Sequence, residues 1–180
     1  MKIGILSDSH DNLPAIERIV ERFNAEKVGL VLHAGDFVSP FTAIPLGKLH
    51  APLVGVFGNN DGDRIYLTRR FEGIGTIHPG YHTFEVDGLR VVLMHEPKSI
   101  DALAGSGTYD LVVYGHTHKV DVRAAPQAGP GPQTGPGPRA ASSSRPAAVV
   151  NPGEACGWLS GRSTAVLFDT LMGQAELIAF

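Results

Sequence analysis

The 180-residue sequence has a single cysteine, Cys156, so no intrachain disulfide can staple it. That scarcity excludes the small disulfide-framed secreted class and fits a cytoplasmic setting. Strong charge is also missing. The formal net charge is −3, which provides no global basic field to draw in a nucleic-acid polymer. No apolar run approaches the roughly 20 residues that a membrane helix needs. The opening MKIGILSDSH reaches Asp8 and His10 after an apolar stretch too brief for a secretory signal. Large apolar residues vanish altogether from RAAPQAGPGPQTGPGPRAASSSRPAA, residues 123–148. Such a segment cannot bury enough surface to offset its ordering entropy. The expectation is one domain over 1–180 carrying a flexible Pro/Gly-rich insertion at about 124–148.

The remainder has the makings of a core, with 43% hydrophobic and 18% charged residues overall. KIGILS (2–7), VGLVLH (28–33), LVGVF (53–57), RVVLM (90–94) and LVVY (111–114) look like strands buried on both faces. Between the first two, Ile16, Ile19, Val20 and Phe23 fall at helical spacing, with Asn12 as cap and Pro14 in the first turn. Weaker helices are expected over 40–49, 62–71 and 98–104. Residues 163–169 and 173–180 read as strands joined by a turn. An α/β beginning and a strand-rich end predict two sheets packed face to face and flanked by helices.

Each of the five buried runs is followed by polar residues of a few types. KIGILS leads to Asp8-Ser9-His10, VGLVLH to Ala34-Gly35-Asp36, and LVGVF to Gly58-Asn59-Asn60-Asp61. RVVLM leads to His95, and LVVY to Gly115-His116-Thr117-His118. Parallel strands of an α/β sheet open their carboxyl ends onto one crevice. Five strand ends would therefore deliver carboxylates, imidazoles and an amide to one place, a donor set that suits Mn, Fe, Zn, Co or Ni. A pair of divalent ions about 3.5–4 Å apart needs a bridging carboxylate. Asp36, on a tight loop between glycine and an aromatic residue, is the natural bridge. Asp8 and Asp36 would offset two of four positive charges, and the surplus suits a phosphate ester.

The ordered set DSH (8–10), GD (35–36), GNND (58–61), His95 and GHTH (115–118) resembles the calcineurin-like metallophosphoesterase superfamily, in particular its small YfcE-type phosphodiesterases. Asn151-Pro152-Gly153 resembles the NPG turn of that group. The resemblance implies an α/β fold, a four-layer α/β/β/α sandwich of two packed mixed sheets flanked by helices. It implies that Asp8, His10 and His118 bind one metal, that Asn59, His95 and His116 bind a second, and that Asp36 bridges them. The implied cofactors are two divalent metal ions, Mn2+ first, with Ni2+, Fe, Zn2+ or Co2+ as substitutes. The implied activity is hydrolysis of small phosphodiesters, of aryl or cyclic-nucleotide type, by hydroxide generated between the metals. A phosphomonoesterase, a dinucleotide polyphosphatase and a non-catalytic scaffold of the same fold are the alternatives. The expected partner is a small phosphate ester, with no membrane and no nucleic-acid polymer; self-association is left open.

Many members of that superfamily carry histidine directly after the metal-bound asparagine, where this chain has Asn60. An amide donates a hydrogen bond to a phosphoryl oxygen but delivers no proton at neutral pH. Asn59 and Asn60 are therefore expected to meet substrate, and easily departing leaving groups are expected to be favoured. Glu154 is expected to face solvent, Trp158 to sit in the core, Cys156 to be packed, and Arg64 to be a solvated helix residue. His50, His78 and His82 read as surface or turn residues. His33 and Asp61 read either as supports for the neighbouring loops or as purely structural.

Overall fold

The computed structural model describes residues 1–124 and 146–180. The early runs form β1 (Lys2–Leu6), β2 (Leu30–His33) and β3 (Leu53–Val56), joined in parallel to a further strand, β4 (Gly75–His78). With β10 (Thr164–Asp169) and β11 (Gln174–Ala179) they make a six-stranded sheet of order β11-β10-β1-β2-β3-β4. The second sheet contains β5 (His82–Val86), β6 (Leu89–Leu93), β7 (Leu111–Val113), β8 (Val120–Arg123) and β9 (Ala148–Pro152) in the order β5-β6-β7-β9-β8. Its central trio β6-β7-β9 is parallel, and its two edge strands run antiparallel.

Alternation along the strands sorts side chains into layers. Ile3, Ile5 and Leu32 of one sheet meet Val91, Leu93, Val113 and Val150 of the other between the sheets. Fully burying a side chain of this size contributes about 1.5–3 kcal/mol. Outside the six-stranded sheet, α1 (Leu13–Ala25) buries Ile16, Ile19, Val20 and Phe23, as its spacing predicts. Asn12 Oδ1 accepts from Ala15 N at 3.3 Å and caps this helix. Two short helices, α2 (Ala43–Leu46) and α3 (Arg64–Arg70), share that face. On the outer face of the five-stranded sheet, α4 (Ile100–Gly105) covers Val92, Val112 and Val149. The four expected layers are present.

Several boundaries differ from expectation. Residues 40–49 form a 3-10 turn (Pro40–Thr42) followed by the four-residue α2, because Pro45 supplies no backbone donor to extend a longer helix. The expected insertion at 124–148 falls mostly on residues 125–145, outside the described residues. Its far end is ordered, since Ala147 is buried and Ala148 opens β9. Among the described residues no helix is long and apolar enough to cross a membrane.

Candidate metal centre

Seven parallel strands end on one edge of the sandwich: β1, β2, β3 and β4 from one sheet, β6, β7 and β9 from the other. Backbone hydrogen bonds stitch their loops together. Asp8 N donates to Gly35 O (3.0 Å), Gly115 N to His95 O (3.0 Å), and Ala155 N to Ser7 O (2.8 Å). The last of these ties one sheet to the other. Left-handed backbone at a non-glycine residue is uncommon, yet it occurs at Asp8, His10, Asp36, His116 and His118. Strain of this kind persists where surrounding structure over-determines it, commonly at functional sites. Glycines make the close approaches possible. A Cβ on Gly115 would come within 1.9 Å of Ser7 Oγ, and one on Gly58 within 2.1 Å of Asp36 Oδ1.

All seven residues singled out as candidate ligands converge here. Asp8, His10 and His118 offer atoms within 4.8 Å of one another. His95 Nε2 stands 2.9 Å from Asn59 Oδ1, and His116 Nδ1 stands 2.9 Å from the same oxygen. Asp36 Oδ2 is 3.4 Å from His10 Nε2 and 3.4 Å from His95 Nε2, so one carboxylate reaches both groups. Asn60 lies beside it, donating from its backbone N to Asp36 Oδ1 (2.8 Å) and from Nδ2 to Asp36 Oδ2 (2.8 Å). Burial favours the neutral acid at Asp36, but contacts from His95 and Asn60 outweigh it and hold the carboxyl below its ordinary range.

The hydrogen bonds behind the imidazoles decide what this arrangement can hold. His95 Nδ1 lies 2.8 Å from Ala34 O, which only accepts, so the ring proton is on Nδ1. In the neutral ring Nε2 then turns a lone pair toward Asn59 Oδ1. Likewise His118 Nδ1 donates to Glu154 Oε2 (2.8 Å) and turns its Nε2 lone pair toward Asp8 Oδ1 at 3.4 Å. Asp8 Oδ1 is buried and has no hydrogen-bond partner among the described residues. In a neutral ring a lone pair thus faces an oxygen in each group, a contact that either a proton on Nε2 or a cation between the two atoms would relieve. Nitrogen and oxygen donors in this mix suit divalent transition ions.

Two expectations need correction. Glu154 does not face solvent: it is 1% exposed and accepts from His118, from Leu159 N and from Ser160 N. Burial pushes its carboxyl up, but those hydrogen bonds win and bring it down to about 2. Trp158 is not core. Its ring is exposed and Nε1 donates to His10 O at 3.2 Å, because Gly157 turns the chain outward after the buried Ala155-Cys156 pair. Arg64 opens α3 as an exposed residue, as expected, and its guanidinium also donates to Gly58 O (2.9 Å) and Asp61 O (3.3 Å).

Most other residues fall where expected. Cys156 is buried and donates to Glu154 Oε2 (3.3 Å), its thiol pushed up to about 12 chiefly by burial. His33 is a buried brace: Nδ1 accepts from Gly35 N (3.2 Å), so Nε2 donates to Ser9 Oγ (3.0 Å). Burial lowers its pKa to about 3 and keeps it neutral. Asp61 accepts from the backbone N of Asp36, Val38 and Gly58, which shapes the Asp36 loop. Asn151 does the same for the GHTH loop, donating to Gly115 O (3.0 Å) and Thr117 Oγ1 (2.9 Å). His50 is exposed, whereas His78 and His82 depart from the expected surface or turn placement, lying half-buried at the end of β4 and the start of β5 and stacked on each other.

The model of the calcineurin-like phosphoesterase superfamily domain matches residues 1–173. The chain belongs to the calcineurin-like phosphoesterase superfamily. A phosphodiesterase of Methanocaldococcus jannaschii is 36% identical over 174 residues, covering 94% of this chain and 93% of that one. A solved structure of an archaeal phosphodiesterase superposes with a TM-score of 0.83 at 34% identity, covering 100% of both chains. The phosphoesterase YfcE of E. coli has a TM-score of 0.60 at 22% identity, covering 94% of this chain and 89% of that one, a likeness of fold alone. Superfamily membership implies divalent metal ions and phosphate-ester chemistry, and the residues just described are candidates to hold such ions.

Proposed function

We propose that this chain is a metal-dependent phosphodiesterase acting on small diesters of aryl or cyclic-nucleotide type, with two divalent ions per chain, Mn2+ foremost. The observation that carries this reading is the convergence of seven donor side chains around Asp36, with Asp8 Oδ1 and His10 Nε2 buried and without a hydrogen-bond partner among the described residues. Asp8, His10 and His118 would hold one ion, Asn59, His95 and His116 the other, and Asp36 both. Ions bound there supply Lewis acidity and bring the pKa of water toward neutrality. The rest is the work of the chain. Ala34 O and Glu154 hold the His95 and His118 rings in the tautomer that presents Nε2. Asn60 spends one amide hydrogen on Asp36 and keeps the second for a phosphoryl oxygen.

Two features favour diesters. Asn60 cannot protonate a departing alkoxide, a deficit worth about 10²–10⁴-fold for poor leaving groups. Buried Glu154 adds a third negative charge beside Asp8 and Asp36, so a monoanionic diester is repelled less than a dianionic monoester. A cleft of about 250 Å³ beside Asn59 and His95, walled by Phe57, Arg64, Tyr81 and Lys98, has room for one ester arm. The phosphodiesterase relative of similar length supports the same reading. The test is metal content combined with parallel diester and monoester assays on the reconstituted protein. Two ions per chain and loss of diesterase activity in His95→Ala and His116→Ala are expected. Retained activity in those variants would contradict the proposal. Asn60→His is expected to raise turnover of alkyl monoesters selectively.

A further inference from the structure

We infer that Glu154 is a positioning residue that locks the His118 ring, and that the Asp8–His10–His118 half therefore holds its cation more tightly than the Asn59–His95–His116 half. The inference rests on reading these residues as a two-cation site. The two halves are supported in different ways. Behind His118 stands a full carboxylate, 2.8 Å from Nδ1. That carboxylate is itself pinned by Leu159 N (3.0 and 3.1 Å), Ser160 N and Cys156 Sγ (3.3 Å), and it is 1% exposed. Turning the His118 ring away would deprive a buried charge of a donor, which is costly. Behind His95 stands only the neutral carbonyl of Ala34. The His116 ring is exposed, and its contacts are with Asn59 and His95 themselves.

The direct donors differ in the same sense. Asp8 brings a charged oxygen that is buried and lacks a hydrogen-bond partner among the described residues, whereas Asn59 brings a neutral amide oxygen and is exposed. A carboxylate behind a ligating imidazole fixes the tautomer and raises its basicity, and losing one typically costs 10–100-fold in metal affinity. Glu154 follows β9 as the other candidates follow their strands, yet among the described residues its hydrogen bond to the centre is to His118.

The test is calorimetric titration of the metal-free chain with Mn2+ alone. Two unequal classes of site are expected, and Glu154→Gln should weaken the tighter class by about 10–100-fold while leaving the weaker one unchanged. Two equal classes in the unsubstituted chain, or a variant that weakens neither class or both alike, would overturn the inference. Absence of Mn2+ binding by the unsubstituted chain would instead overturn the two-cation reading beneath it. Thermal unfolding of both metal-free proteins checks that the variant folds. Should it not, NMR of the unsubstituted Zn2+-loaded chain decides: a slowly exchanging His118 Nδ1–H supports the lock, and an exchange-broadened one refutes it.

Discussion

The central parallel strands and the edge strands of the same two sheets have different fates. β1, β2, β3, β6, β7 and β9 are buried in the middle of the sandwich, and every candidate ligand, with Glu154, follows one of them. At the edges, β5 and β8 are half-exposed and are followed by no candidate ligand. Burial on both faces fixes where a strand ends, so a side chain just past that end can be aimed repeatably at a neighbour from the other sheet. An edge strand has one partner and offers no such fixed end. The centre thus takes its precision from the same packing that stabilises the middle of the fold.

The comparison breaks most visibly at Asp36, the carboxylate touching both groups. Asp36→Asn should cut diester turnover by about 10²–10³-fold, the scale of losing one preorganised electrostatic contact. Its metal-free thermal midpoint should fall, because the contacts that favour the ionised carboxyl are weakened, and unchanged kinetics would separate strand ends from function. Gly115→Ala comes next. Its new Cβ would run into Ser7 Oγ and Asp8 Oδ2, so denaturant titration should show a loss of about 1–3 kcal/mol, with weakened metal binding alongside.

His33 sharpens the comparison through pH. Its folded pKa of about 3 lies below its ordinary value of 6.5, so the unfolded chain binds a proton that the folded one refuses. Stability from His33 is complete above pH 6.5 and drains as pH falls toward 3, at up to about 1.4 kcal/mol per unit. Unfolding free energies of His33→Gln across this window should slope less steeply than those of the unsubstituted chain. The smallest effect belongs to the edge: Thr83→Ala, on the exposed side of β5, should change stability by no more than about 0.5 kcal/mol and leave turnover alone.

The same contrast decides what could be read from the sequence. Continuous apolar runs such as LVVY announce doubly buried strands, and the residues behind them gave all seven candidate ligands. HTFEV and VDVR, half-polar and at the edges, carry too little pattern to be recognised. β9 was hidden differently. It begins where the Pro/Gly-rich segment ends and finishes on Pro152, so its apolar run is short and broken by turn-forming residues. Had Ala148–Pro152 been read as a sixth buried strand, Glu154 would have fallen under the rule that found the others. The exposure of Trp158 follows from the positive φ of Gly157, which only coordinates reveal.

Anomalous diffraction from crystals equilibrated with Mn2+ tests the central claim most directly. The account predicts two peaks at this edge of the sandwich, both within coordination distance of Asp36, one also touching Asp8 and His118 and the other Asn59 and His95. A map with no peak among these side chains would contradict it.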